Sequence, residues 1–402
     1  MIEGTLEEQA EFIEGLLGID KERHADRSIE TNLVHGYGER DASGGVSTPL
    51  QLSSTFAHPS FDGSTGYMYS RCGNPTRLAL EDAIALLEGG KKAWAFASGM
   101  SAIATVLKFF KAGDHVLVCD DLYGGTYRLF SDIYTQYGLE FDYVDCTDLA
   151  VVEGACKPNT RALFLETPTN PTMKVADLAE LKEFTRAHDL MYIVDNTLLT
   201  PRFQRPFEFG ADIVIHSGTK YLCGHNDITA GFLVVRDSSL IQDLFTITMS
   251  EGALLDPFDS WLMLRSLKTL DVRLQRQQEN AIAITEFLKQ HENVRDVYYV
   301  GDPDHPSYEL SLKQTSGFGA MISFRVDSHE RLKKVIESVS VISYAESLGG
   351  VESLITYPLM QTHGAMAPEL REKLGIDDCL LRLSVGIEGI DDLIADLQQA
   401  LA

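Results

Sequence analysis

"ALFLETPTNPTMKVADLAELKEFTRAHDLMYIVDN", residues Ala162 to Asn196, holds two short apolar runs around one helical pattern. The runs ALFLET and MYIVDN are apolar at successive positions, as strands buried on both faces are. Between them VADLAELKEFTRAHD reads as a helix. Strand, helix, strand in that order means two parallel strands joined by a crossover.

The same alternation extends in both directions. Upstream, AWAFAS, HVLVCD and EFDYVD read as strands, with TRLALEDAIALLEGG, GMSAIATVLKFFKAGD and YRLFSDIYTQYG as helices. Downstream, DIVIHS and GFLVV are further strands. The expected fold is α/β, with a large, doubly wound, mostly parallel sheet carrying helices on both faces. After Pro257 the texture changes. DSWLMLRSLKTLDVRLQRQQENAIAITEFLKQH reads as one long amphipathic helical stretch leading to a smaller C-terminal α/β domain. There VRDVYYV, GAMISFRV and CLLRLSVGI are strands, and HERLKKVIESV and DDLIADLQQALA are helices. A chain of 402 residues suits such a pair of domains. At the N-terminus, Thr5 with Glu8 makes a capping-box pattern for a short helix.

Composition narrows the function. The formal net charge is −25, from 59 acidic and 34 basic residues. That argues against nucleic acid or an anionic membrane as partner, because both need a positive field. No apolar stretch reaches the length of a membrane span. The acidic beginning, MIEGTLEEQAEFIEGLLGID, is unlike a signal peptide, so a cytoplasmic protein is expected. The six cysteines form no C-x-x-C pair, so neither a zinc site nor any other metal is expected.

Open α/β sheets bind ligands at the carboxyl ends of their strands. Past AWAFAS, residues Gly99 and Met100 open a helix, a cradle for an anion. Past HVLVCD comes Tyr123 among glycines, and past ALFLE comes Asn170. MYIV ends on Asp195, and DIVIH leads to Ser217, Thr219 and Lys220. One site thus receives an anion cradle, an aromatic plate, an amide, a carboxylate, two hydroxyls and a lysine. Pyridoxal 5'-phosphate needs this set: a phosphate site, a stacking face, a carboxylate for its ring nitrogen and a lysine for its aldehyde. A desolvated strand end would keep Lys220 neutral enough to react. NAD is poorly supported, because GYGERD lacks the third glycine of a dinucleotide loop and follows no clear strand.

YSRCGNPTR, ASGMSA, DLYGGTYR, ETPTNPT, IVDNT, IHSGTKYLCGHND, AESLGGVESL and LRLSVGIE, in this order, resemble the Cys/Met-metabolism pyridoxal-phosphate enzymes. The resemblance runs from about Thr31 to the C-terminus. It implies the fold-type-I, aspartate-aminotransferase-like architecture of PLP-dependent transferases. Residues 1–70 would be an extension and arm touching a neighbouring subunit, 71–265 the large cofactor-binding domain and 266–402 the smaller domain. Lys220 would hold the cofactor covalently and then move protons, with Tyr123 stacked on the ring as the second catalytic group. Asp195 would pair with the ring nitrogen and Asn170 with the ring hydroxyl. Gly99, Met100, Ser217 and Thr219 would bind the phosphate. Tyr69 and Arg71 would reach the partner's phosphate in a homotetramer built as a dimer of dimers. Arg382 would take the substrate carboxylate. Ser347 would orient Lys220, and Glu346 and Tyr69 would complete the substrate site; Arg128 is a further candidate.

Within the family, methionine γ-lyases carry a cysteine where this chain has Gly125 and an apolar residue where it has Glu346. Both differences point to an enzyme that handles cystathionine. Met68 stands where synthases and γ-lyases usually carry an acidic residue. The expected activity is that of a cystathionine γ-synthase, replacing the acyloxy group of an O-acylhomoserine with L-cysteine. The alternatives are a cystathionine γ-lyase or β-lyase, then a methionine γ-lyase or O-acylhomoserine sulfhydrylase.

Overall fold

The computed structural model describes residues 27–36, 44–364 and 366–402. The capping-box helix at Thr5 and most of GYGERD lie outside the described residues.

Seven strands form the larger sheet: β1 (Lys92–Phe96), β2 (His115–Cys119), β3 (Glu140–Val144), β4 (Thr160–Glu166), β5 (Met191–Asp195), β6 (Ile213–Ser217) and β7 (Gly231–Val235). Their order across the sheet is β1-β7-β6-β5-β4-β2-β3. Strands β6, β5, β4, β2 and β3 are parallel neighbours, and β7 runs antiparallel between β1 and β6. This is the mostly parallel sheet expected from Ala162–Asn196. Strands β1, β2 and β7 are buried along their whole length, as helices on both faces require. Neighbours on β6 show the two faces. The His216 imidazole points to Glu88 at the end of helix Pro75–Glu88, with Nε2 2.5 Å from Oε1. Ser217 points the other way, against Gly99 at the start of helix Gly99–Val106.

The second sheet has five strands in the order β10-β11-β12-β9-β8: β8 (Val294–Tyr298), β9 (Met321–Val326), β10 (Ser343–Tyr344), β11 (Leu354–Thr356) and β12 (Leu380–Ser384). The sequence marks β8, β9 and β12. It does not mark β10 and β11, which are too short for any periodicity to build up.

Two helical expectations are corrected. The stretch from Asp259 to His291 is two helices, Pro257–Leu267 and Leu270–Gln290. At the break the Ser266 carbonyl accepts from the Thr269 N–H and from the guanidinium of buried Arg273, which also donates to the Tyr221 and Leu222 carbonyls; hydrophobic spacing alone does not show those contacts. YRLFSDIYTQYG is not one α-helix either. An α-turn at Gly124–Arg128 widens to a π-turn over Leu129–Ile133 and tightens to a 3-10 turn over Tyr134–Tyr137. The winding seats Phe130 between Phe141 and Phe164 and lets the Tyr134 hydroxyl donate to the Ala104 carbonyl.

Candidate active site

The carboxyl ends of the parallel strands open into a cavity of about 330 Å³, closed on its far side by the Glu346–Leu348 loop, Gln361, Thr362 and Arg382. Lys220 follows β6 through the turn Ser217–Thr219, with its N–H donated to the Ser217 carbonyl. Its Nζ donates to Ser347 Oγ at 2.9 Å. Burial, then the nearby Arg382 charge, lowers its pKa to about 8. That leaves about a tenth of the amine neutral at pH 7, and the neutral form is what a nucleophilic amine requires.

Asp195 ends β5 and stands opposite Glu166 on β4. Thr197 donates to Asp195 Oδ1 from its backbone N–H at 3.0 Å and its hydroxyl at 2.5 Å. Glu166 Oε2 accepts from the Tyr123 backbone N–H at 3.1 Å. Burial raises both carboxyl pKa values, and in Glu166 the neighbouring Asp195 adds to the rise. Such a pair favours a cation placed beside it.

Ser98 caps helix Gly99–Val106 by accepting from the Ser101 N–H. The first N–H groups of the helix, on Gly99 and Met100, have no acceptor within it. A Cβ on Gly99 would lie 3.0 Å from Ser217 Cβ, a tight contact that would narrow the gap between helix and turn. Thr219 is pinned by its hydroxyl to Ala230, accepting from the N–H at 3.0 Å. The Tyr123 ring lies over Gly125, where a Cβ would be 2.4 Å from a ring carbon.

Arg382, on β12, is fully buried. It donates to Asn170 Oδ1 at 3.2 Å, to the Ser347 carbonyl at 2.7 Å and to Thr356 Oγ1 at 3.0 Å. Its Nε has no hydrogen-bond partner among the described residues. A buried guanidinium with a free donor is a site for a carboxylate. Glu346 lines the outer part of the cavity and accepts from Gln361 Nε2 at 3.1 Å.

Asn170, Met100 and the other lining candidates therefore converge on one cavity. Tyr69 and Arg71 do not. They sit outside it, paired by the Arg71 guanidinium 5.6 Å from the Tyr69 ring centroid, with Arg71 donating to the Met249 carbonyl. Arg128 is exposed and also outside the cavity, as is half-exposed Met68. Sequence reasoning missed Glu166, Thr197, Gln361 and Thr362. Glu166 was open to the same strand-end rule that gave Asp195. Gln361 and Thr362 lie in irregular backbone, where local pattern carries no signal.

The family model "Cys/Met metabolism PLP-dependent enzyme" matches residues 30–402. The chain belongs to this family. Among its relatives, the cystathionine beta-lyase MetC of Bacillus subtilis (strain 168) is 46% identical over 375 residues, covering 93% of this chain and 96% of the relative. A cystathionine gamma-synthase/O-acetylhomoserine (thiol)-lyase of the same organism is 46% identical over 374 residues, covering 93% and 96%. The crystal structure of cystathionine gamma-lyase from Lactobacillus plantarum complexed with L-serine matches with a TM-score of 0.91 at 44% identity, covering 93% of this chain and 98% of that one. The Cys/Met-metabolism fold is thus fold type I, and the chain is a pyridoxal-phosphate-dependent enzyme acting on amino acids.

The cavity fits that cofactor: a glycine-gated helix start, a buried carboxylate pair, a lysine of lowered pKa and a buried guanidinium with a free donor surround one space. When bound, the cofactor withdraws electrons from the substrate Cα.

Proposed function

We propose that this enzyme makes cystathionine, exchanging the acyloxy group of an O-acylhomoserine for L-cysteine. Glu346 carries the reading. An α-amino acid whose carboxylate pairs with Arg382 extends towards the outer cavity, where Gln361 holds the Glu346 carboxylate. That carboxylate suits the ammonium of a second amino acid, the cysteine half of cystathionine. Gly125 supports the choice over methionine cleavage, because a cysteine side chain there would run into the Tyr123 ring as it now lies. Lys220 would move the protons at Cα and Cβ, and Ser347 would direct its amine.

Cleavage of cystathionine is the second reading. It is favoured by relatives named β-lyase and γ-lyase at nearly the same identity as the synthase.

The site roles assigned above to Lys220, Asp195, Asn170, Tyr123, Gly99, Met100, Ser217, Thr219, Arg382 and Ser347 belong to this proposal. So do the division at residues 70 and 265, the cytoplasmic location and the homotetramer. Tyr69 and Arg71 are exposed, and the same N-terminal segment also exposes the apolar side chains of Leu52 and Phe61, as a segment that docks on a partner subunit would. No helix among the described residues is long and apolar enough to cross a membrane.

Glu346→Gln tests the reading. It is expected to raise KM for L-cysteine roughly tenfold, the worth of one hydrogen bond to a charged group. KM for hydrogen sulfide, which has no ammonium, should stay unchanged. An equal effect on both thiols would remove Glu346 from recognition.

A further inference from the structure

His363 is fully buried behind the cavity wall. Its Nε2 lies 3.1 Å from the Asn170 carbonyl oxygen, and its Nδ1 lies 2.7 Å from Thr362 Oγ1. Burial, then the charge of Arg382, holds its pKa down at about 4, so the ring is neutral and carries one N–H. A carbonyl oxygen can only accept, so the proton is on Nε2 and Nδ1 accepts from the Thr362 hydroxyl. Besides the Leu122 backbone, which also bonds the ring, the tautomer is set by Asn170 and Thr362.

Those neighbours are functional surface. Thr362 lines the cavity, and its carbonyl stands so close to Gly124, beside Tyr123, that a Cβ there would approach to 2.1 Å. Asn170 turns its side-chain Oδ1 to Arg382. Arg382 in turn binds the Ser347 carbonyl, and the Ser347 hydroxyl accepts from Lys220. One imidazole thus ties the outer wall to the Asn170 peptide, and through it to the arginine and the lysine.

We infer that His363 is a positioning residue, whose Nε2–H fixes the Asn170 peptide and so aims the Asn170 amide and the Arg382 guanidinium into the cavity. The inference rests on the cavity being the amino-acid site. It is independent of whether cystathionine is made or cleaved.

The test uses glycine, an amino acid with no group to eliminate, titrated against the cofactor-loaded enzyme by absorbance. Cofactor affinity is measured on the apoenzyme in parallel, and thermal midpoints are recorded. His363→Gln, whose amide can donate in place of Nε2, is expected to keep the glycine Kd within about threefold of the parent. His363→Leu is expected to raise it roughly tenfold or more, well below its own thermal midpoint. Thr362→Val removes only the hydroxyl that orients the ring, and is expected to raise it several-fold with the midpoint nearly unchanged. Unchanged glycine binding in His363→Leu would overturn the inference. So would equal losses in His363→Leu and His363→Gln that follow a common fall in midpoint. Should the leucine variant not fold, unchanged glycine binding in Thr362→Val would overturn it.

Discussion

Asp195 stands directly opposite Glu166 across the β4–β5 ladder, and both carboxyls are turned into the cavity. Thr197 occupies one oxygen of Asp195 with two donors, which leaves the other for a ligand. Two buried acids side by side are poorly ionised together, and Asp195 would hold the cofactor's protonated ring nitrogen as the cation that relieves the repulsion. Asp195→Asn removes the charge but keeps the shape. Breaking a buried charged pair costs about 3–5 kcal/mol, so the cofactor Kd of the variant should rise about a hundredfold or more. An unchanged Kd, read by titrating pyridoxal phosphate into apoenzyme, would exclude Asp195 as the partner of the ring nitrogen.

Lys220 sets a pH dependence. Its pKa is lowered to about 8, so the amine is neutral above that pH and protonated below it. Only the neutral amine attacks an aldehyde. Cofactor reattachment to the apoenzyme should therefore plateau above pH 8 and slow about tenfold per unit below it. An inflection near the ordinary lysine value would contradict the desolvated environment. Lys220→Ala should bind the cofactor without the visible absorbance of the lysine-linked form.

Gly99 is needed for space, not for backbone freedom. Alanine there puts a Cβ 3.0 Å from Ser217 Cβ, in the gap proposed for the phosphate. Gly99→Ala should weaken cofactor binding about tenfold, the loss of one charge-assisted hydrogen bond, while the apoenzyme's thermal midpoint stays close to the parent. A lower midpoint with unchanged cofactor affinity would make Gly99 a packing residue.

Most of this site was legible because it follows one rule: parallel strands end where the ligand binds. Asp195, Asn170 and Lys220 are read from a strand and the residues just after it. The opposite wall obeys no such rule. Ser347, Glu346 and Arg382 were reached only through the family resemblance, since β12 looks like any apolar strand with one arginine in it. Gln361, Thr362 and His363 lie in irregular chain, and their placement depends on how the smaller sheet meets the larger. The helix break at Lys268–Thr269 was hidden for a related reason. Just past it Arg273 reaches carbonyls in the Tyr221–Leu222 turn, a contact distant in sequence.

The most direct test of cystathionine synthesis is product analysis of the cofactor-loaded enzyme under two conditions. Supplied with O-acetyl- or O-succinylhomoserine and L-cysteine, it should release the free acid and accumulate L-cystathionine. Supplied with L-cystathionine alone, it should turn over little. Homocysteine, pyruvate and ammonia from cystathionine, or cysteine, 2-oxobutyrate and ammonia, with no cystathionine formed from the acylhomoserines, would contradict the account and make the enzyme a β- or a γ-lyase respectively.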